Sequence, residues 1–142
     1  MRIEIKEITD KNEKETIARE ILFDLPEWFG LPESTEEYIR ESQDKAFLAG
    51  YVDEKVAGFI VLNPTSSDTA EIFVMGVKKE FHRLGLGTKL VKAYEQLAIE
   101  RGYSYSQVKT VKSGHYVEYD ITNNFYNCLL YTSDAADDSL RV

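Results

Sequence analysis

The stretch that most limits what this chain can fold into is "AEIFVMGVKKEFHRLGLGTKLVKAYEQL", Ala70–Leu97. It reads as a strand, a short turn, a glycine-bearing loop and a helix. Gly85 and Gly87 let the backbone approach another group closely. The amides of Leu84 to Thr88 open the helix that follows. Amides at a helix N-terminus, with the positive end of its dipole, make an anion site that suits a phosphate or pyrophosphate. Arg83 and Lys89 add positive charge nearby. A dinucleotide fingerprint needs a third glycine where Leu90 stands, and a P-loop needs a longer glycine spacing before Lys and Ser or Thr. By itself the pattern also fits a tight turn that binds nothing.

The rest of the chain sets this stretch in one domain. Its 142 residues are enough for a single core. Arg2–Ile8 alternates like a strand, and Thr9-Asp10 can cap a helix over Lys11–Phe23 with Ile17, Ile21 and Leu22 on one face. "LPEWFGLPES" is a loop. Ser34 and Glu37 have capping-box spacing and predict a short helix through Tyr38, Ile39 and Ser42. "AFLAGYV" and "VAGFIVLN" read as a hairpin about Asp53-Glu54-Lys55. Thr69–Val77 is a third strand. Thr88–Arg101 is a helix with Leu90, Val91, Tyr94, Leu97 and Ala98 as its apolar stripe, and "YSQVKTV" is another strand. Largely antiparallel strands with helices imply an α/β layer fold.

Composition removes several functions. Acidic residues outnumber basic ones 25 to 17, and no basic patch points to nucleic acid. An acidic surface suits a cationic substrate and also serves solubility. No apolar run spans a membrane, and "MRIEIKEITD" lacks the apolar centre of a signal peptide. The single cysteine, Cys128, excludes an internal disulfide, and no cluster has zinc-ligand spacing, so no metal is expected. The expected compartment is the cytoplasm.

"HRLGLG", His82–Gly87, resembles the Arg/Gln-x-x-Gly-x-Gly/Ala acetyl-CoA loop of the GNAT N-acetyltransferase superfamily, with His82 where Arg or Gln is usual. "VMGVKKEFHRLGLG" resembles the family's fourth strand running into that loop. "NFY" resembles its tyrosine near the start of the following helix. The resemblance runs in order from about Arg2 to Tyr126. It implies a mixed, largely antiparallel sheet flanked by helices, with the fourth and fifth strands splayed. The pantetheine arm of acetyl-CoA is then expected in the cleft on backbone groups around Met75 and Val77. Its pyrophosphate is expected on the amides of Arg83, Leu84, Gly85, Leu86, Gly87 and Thr88. The implied reaction is direct attack of a primary amine on the thioester.

That chemistry needs a base, because an alkylammonium has a pKa near ~10. It also needs oxyanion donors, for which a backbone N–H near Val77 is the family's usual kind, and an acid for the leaving thiolate. Strand alternation places Glu71, Phe73, Met75 and Val77 on one face, making Glu71 the expected base. An exposed carboxylate with no role fits the residues equally well. Tyr126 is the expected acid by its place in the family pattern; a core aromatic is the other reading. "VKTVKSGHYVEYD" is read as strand and loop, and His115, Tyr116, Glu118, Tyr119 and Asp120 could line the amine site. His115 could be a second base or a surface residue. Trp28 and Phe29 lie in a loop that often covers the acceptor in this superfamily, or they pack on the core.

The tail departs from the family, which continues its last helix and adds one or two strands. "CLLYTSDAAD", Cys128–Asp137, resembles the conceptual translation of a transposon-based sequencing-library adapter instead. On this reading residues 1–127 form a single, incomplete acetyltransferase-like domain lacking its C-terminal strand or strands, and 128–142 are a non-native tail. A frayed terminal helix is the structural alternative. The expected function is acetyl transfer to an amine of unknown identity, whether small molecule or peptide, impaired by the truncation. Neither a nucleic-acid nor a membrane partner is expected, and a homodimer is compatible. The rival readings are a non-catalytic acyl-CoA-binding module and a nucleotide-binding domain of another class.

Overall fold

A computed structural model describes residues 1–25, 32–109 and 116–121, and for 108–109 and 116–120 it describes the backbone. The elements run β1 (Ile3–Ile8), α1 (Lys11–Leu22), α2 (Pro32–Ser42), β2 (Ala46–Val52), β3 (Lys55–Pro64), β4 (Thr69–Val77), α3 (Leu86–Glu100), β5 (Tyr105–Lys109) and β6 (Tyr116–Asp120), with a 3-10 turn at Lys79–Phe81. The six strands pair in chain order in one sheet. Every pairing is antiparallel except β4 with β5, which α3 connects in parallel. This is the expected mixed, largely antiparallel sheet flanked by helices.

Local chemistry accounts for the element ends. Asp10 caps α1 by accepting from the Glu13 amide at 2.9 Å. The β2–β3 connection is a two-residue turn, because Lys55 already pairs with Val52. Asp53 and Glu54 both take positive φ, 49° and 71°, the geometry that matches strand twist in a tight hairpin. Two expected helix starts shift. α2 begins at Pro32, which suits a first helical position because it has no amide to leave unpaired; Ser34 therefore lies inside the helix. α3 begins at Leu86, two residues before Thr88.

Each face of the sheet carries a separate apolar cluster. On one, α3 buries Leu86, Leu90, Val91, Tyr94 and Ala98 against Leu48, Ile60, Leu62, Ile72, Met75 and Val77. On the other, α1 and α2 bury Ile17, Ile21, Leu22 and Ile39 against Phe47, Phe59, Val61 and Val74. Phe47 and Phe59 stack there, ring centres 5.2 Å apart. Between α1 and α2, Arg19 grips Glu36 through two hydrogen bonds. The buried Lys14 of α1 donates to the carbonyls of Gln43 and Lys45, at 3.2 and 2.7 Å, where α2 turns into β2. The Tyr94 hydroxyl meets Ser106 Oγ at 2.6 Å and ties α3 to β5. Burial pushes that phenol's ionisation far up, so it stays neutral.

Among the described residues no helix is long and apolar enough to cross a membrane. No group of three or more His, Cys, Asp or Glu among them is placed to hold a metal.

Candidate functional site

The parallel pairing of β4 with β5 is short. It runs from Thr69 opposite Tyr105 to Ile72 opposite Val108. On its other side β4 stays paired with β3 as far as Val77 opposite Gly58. From Phe73 to Val77, then, β4 has no strand partner on the β5 side among the described residues. The cleft expected between splayed strands would lie along this edge of β4.

The end of the β4–β5 ladder coincides with an irregularity in β4. Val61 pairs with Val74 and Leu62 with Ile72, leaving Phe73 as an extra residue. Such a bulge bends its strand and reverses the side-chain alternation beyond it. Ala70 and Ile72 join the α3-side cluster, as do Met75 and Val77. Phe73 and Val74 both belong to the opposite side. The expected common face for Glu71, Phe73, Met75 and Val77 is therefore wrong. Glu71 and Phe73 face α1 and α2, and Met75 and Val77 face α3. A period of two read from either end of β4 fails because the extra residue lies between them.

The backbone at the cleft can be oriented from one hydrogen bond. The Lys78 amide donates to the Ala57 carbonyl at 2.8 Å, so Lys78 faces β3. Backbone groups alternate along a strand, and the N–H and C=O of one residue share a side. Those of Val77 therefore face the cleft, and so do those of Met75. This is the edge on which the pantetheine contacts were expected.

The chain next passes through the 3-10 turn to the glycine loop. Arg83 and Gly85 take left-handed φ values of 65° and 79°. Gly85 is the N-cap of α3, and the Lys89 amide closes the first helical bond to its carbonyl at 3.2 Å. The amides of the first turn, Leu86, Gly87 and Thr88, point out of the helix end. A left-handed residue before a helix start, with these amides converging, makes an anion-binding concavity. A Cβ on Gly85 would meet nothing within 4 Å, so the rim is open. Leu84 and Arg83 are exposed beside it. Leu86 and Leu90 anchor this end of the helix, packing where Gly50 and Gly58 leave room on the sheet. The structure thus joins Met75, Val77 and the loop 83–88 along one continuous edge.

Glu71 lies where the β4–β5 ladder ends. It is half-buried, and Asn63 Nδ2 donates to its Oε2 at 2.9 Å. Phe73 packs edge-on against Tyr38 at 5.4 Å, with the Lys45 ammonium 4.7 Å from its ring centre. Beside it a cavity of ≈ 210 Å³ is lined by Ser34, Glu37, Tyr38, Glu41 and Phe73. Trp28, His115 and Tyr126 lie outside the described residues, as do Phe29 and the tail 128–142. Tyr116 and Asp120 are the first and last residues of β6, antiparallel to β5. Within the segment read as strand and loop, "YVEYD" forms a strand of its own, which its mixed polar and aromatic pattern did not announce.

For His82, which the sequence marks as a loop-shaping position, the structure adds a specific partner. His82 Nε2 lies 2.8 Å from the Val77 carbonyl and links the loop to the end of β4. Its signal in the sequence was the departure from Arg or Gln at that position.

The fold that carries this edge is that of an acetyltransferase. A GNAT family acetyltransferase from Elizabethkingia anophelis, solved with acetyl-CoA bound, superposes with TM-score 0.64 at 21% identity, covering 91% of this chain and 74% of that one. The PaiA N-acetyltransferase of Thermoplasma acidophilum, solved with coenzyme A, gives 0.64 at 18% identity over 99% and 98% of the two chains. An aminoglycoside 6'-acetyltransferase of type Ii gives 0.65 at 23% identity over 89% and 81%. Residues 14–117 match the model of the acetyltransferase (GNAT) family, and the chain belongs to that family. No curated protein matches it by sequence.

Proposed function

We propose that this chain is an acetyl-CoA-dependent N-acetyltransferase that transfers its acetyl group directly to a primary amine. The observation that carries the reading is the continuous edge from Met75 and Val77 to the amides at the start of α3. An extended amide-bearing arm suits the strand edge, and a diphosphate suits the helix N-terminus. The neighbours solved with acetyl-CoA or coenzyme A support the same ligand.

In the proposed reaction the amine, once deprotonated, forms a C–N bond to the thioester carbon as the C–S bond breaks. The Val77 amide faces the cleft and is the donor for the oxyanion. Glu71 is the proposed base. Because it faces α1 and α2, it takes the amine's proton from that side of the sheet, directly or through a water. Tyr126 is the proposed acid that returns a proton to the thiolate.

The test is release of free thiol from acetyl-CoA in the presence of a panel of amines, including polyamines, aminoglycosides, amino acids and peptides. Turnover with at least one is expected. Tight acetyl-CoA binding without turnover on any amine would mark a non-catalytic acyl-CoA-binding module. Within the same assay, Glu71→Gln should lower kcat by about 10²-fold or more and shift the pH profile. An unchanged profile removes Glu71 from the mechanism. Tyr126→Phe should slow turnover on a similar scale while acetyl-CoA still binds, and full activity rejects its role.

We also read Cys128–Val142 as adapter-derived, on the sequence of "CLLYTSDAAD" alone. A genomic clone read across codon 127 tests this, and continuous coverage through Val142 overturns it.

A further inference from the structure

His82 stands at the junction of the two halves of the site. Before it, the chain is held in place by several bonds. Lys78 pairs with Glu20 of α1, the Lys79 amide donates to Asp24 Oδ2 at 2.9 Å, and the Phe81 amide donates to the Lys78 carbonyl at 2.9 Å. After it, Arg83 and Gly85 take their left-handed conformations and α3 begins. The His82 ring reaches back from this junction to the carbonyl of Val77. A carbonyl can only accept, so Nε2 carries a hydrogen and donates it.

The carbonyl it reaches is one of the backbone groups that face the cleft. The Val77 N–H and C=O share that side, one offering a donor and the other an acceptor. A carbonyl oxygen beside a developing oxyanion repels it, and a donor placed on that oxygen withdraws part of its charge. The same bond also sets the separation between the strand edge and the amide concavity. A ligand that spans both needs that separation held.

We propose that His82 is a positioning residue. Its Nε2–H engages the Val77 carbonyl, so that Val77 presents chiefly its amide to the thioester, and it clamps the diphosphate loop to the end of β4. The proposal rests on the acetyl-CoA reading for its catalytic consequence, though the tautomer and the clamp do not depend on it. Arg or Gln at this position would also supply a side-chain N–H donor. The inference therefore requires that donation, rather than ring shape or charge, is what the position provides.

Three variants and one spectrum test it. His82→Ala should weaken coenzyme A binding about 10-fold and lower kcat by a similar factor, the scale of one hydrogen bond lost where water does not replace it. His82→Gln should recover most of both, and His82→Phe, which fills space without donating, should behave like His82→Ala. Wild-type affinity and kcat in His82→Ala, or a His82→Gln no better than His82→Phe, overturns the proposal. On the unsubstituted protein, nitrogen-15 imidazole NMR should show a proton on Nε2 of His82. A dominant Nδ1–H tautomer overturns the clamp even if no variant folds. Absence of coenzyme A binding by the unsubstituted chain instead defeats the acetyl-CoA reading, and the catalytic half of this proposal with it.

Discussion

Gly85→Asp should cost about 100-fold or more in coenzyme A affinity while leaving the melting temperature within a few degrees of the unsubstituted protein. Gly85 takes φ of 79°, a conformation that Asp and Asn enter more readily than other side chains. A Cβ there would meet no atom within 4 Å, so nothing has to move. The carboxylate would sit at the open N-terminal end of α3, where the helix dipole favours negative charge. That favourable placement offsets part of the backbone strain, and the added negative charge opposes a diphosphate at the same amides. Losing two charge-assisted hydrogen bonds at roughly 1.5–3 kcal/mol each gives a loss of at least about 3 kcal/mol, hence the factor of about 100. Titration calorimetry with coenzyme A, beside a thermal melt, separates the two effects. Unchanged affinity would show that the amides of 83–88 do not hold the diphosphate.

Gly58→Val should damage the fold itself. A Cβ at Gly58 would lie 2.9 Å from the Gly76 carbonyl oxygen and 3.2 Å from both Leu90 Cδ1 and Val77 Cγ2. The first of these is backbone in the neighbouring strand and cannot swing aside. Overpacking of this kind costs about 3 kcal/mol, which for a chain of this size lowers the melting temperature by roughly 10 °C. Gly50→Ala is the matched comparison. Its Cβ would come as close, 2.9 Å, but to the Cδ1 end of Leu86. A side-chain tip can shift, so Gly50→Ala should cost clearly less than Gly58→Val. Equal melts for the two would mean that close strand approach does not limit the sheet. Because Gly58 pairs with Val77, the surviving folded fraction of Gly58→Val should also bind coenzyme A more weakly.

Much of the architecture was legible because its signals are local. Alternation marked β1 to β4, the apolar stripe marked α3, and Asp10 marked the start of α1. The glycine loop was legible for the same reason: its residues are contiguous and the helix start they form is a property of the local chain. Two boundaries moved because capping depends on details that neighbours settle. Pro32 takes the first position of α2, and Gly85, in a left-handed conformation, starts α3 ahead of Thr88.

The relation between Glu71 and the strand edge was not legible. Alternation gives a residue's face only while every residue is paired, and Phe73 is not. Nothing in "TAEIFVMGV" distinguishes a bulge at Phe73 from a regular strand, because the extra residue exists only relative to β3. Nor could the reach of His82 to Val77 be read from a separation of five residues, since it needs the 3-10 turn to fold the chain back.

By itself, then, the sequence determined the order of the elements and the chemistry of the loop, since both follow from backbone preferences and side-chain periodicity over a few residues. Tertiary structure decided where the β4–β5 ladder ends, which face each β4 side chain takes and which backbone groups of Met75 and Val77 are offered to the cleft. Those depend on strand register, and register is a relation between segments that no single segment contains.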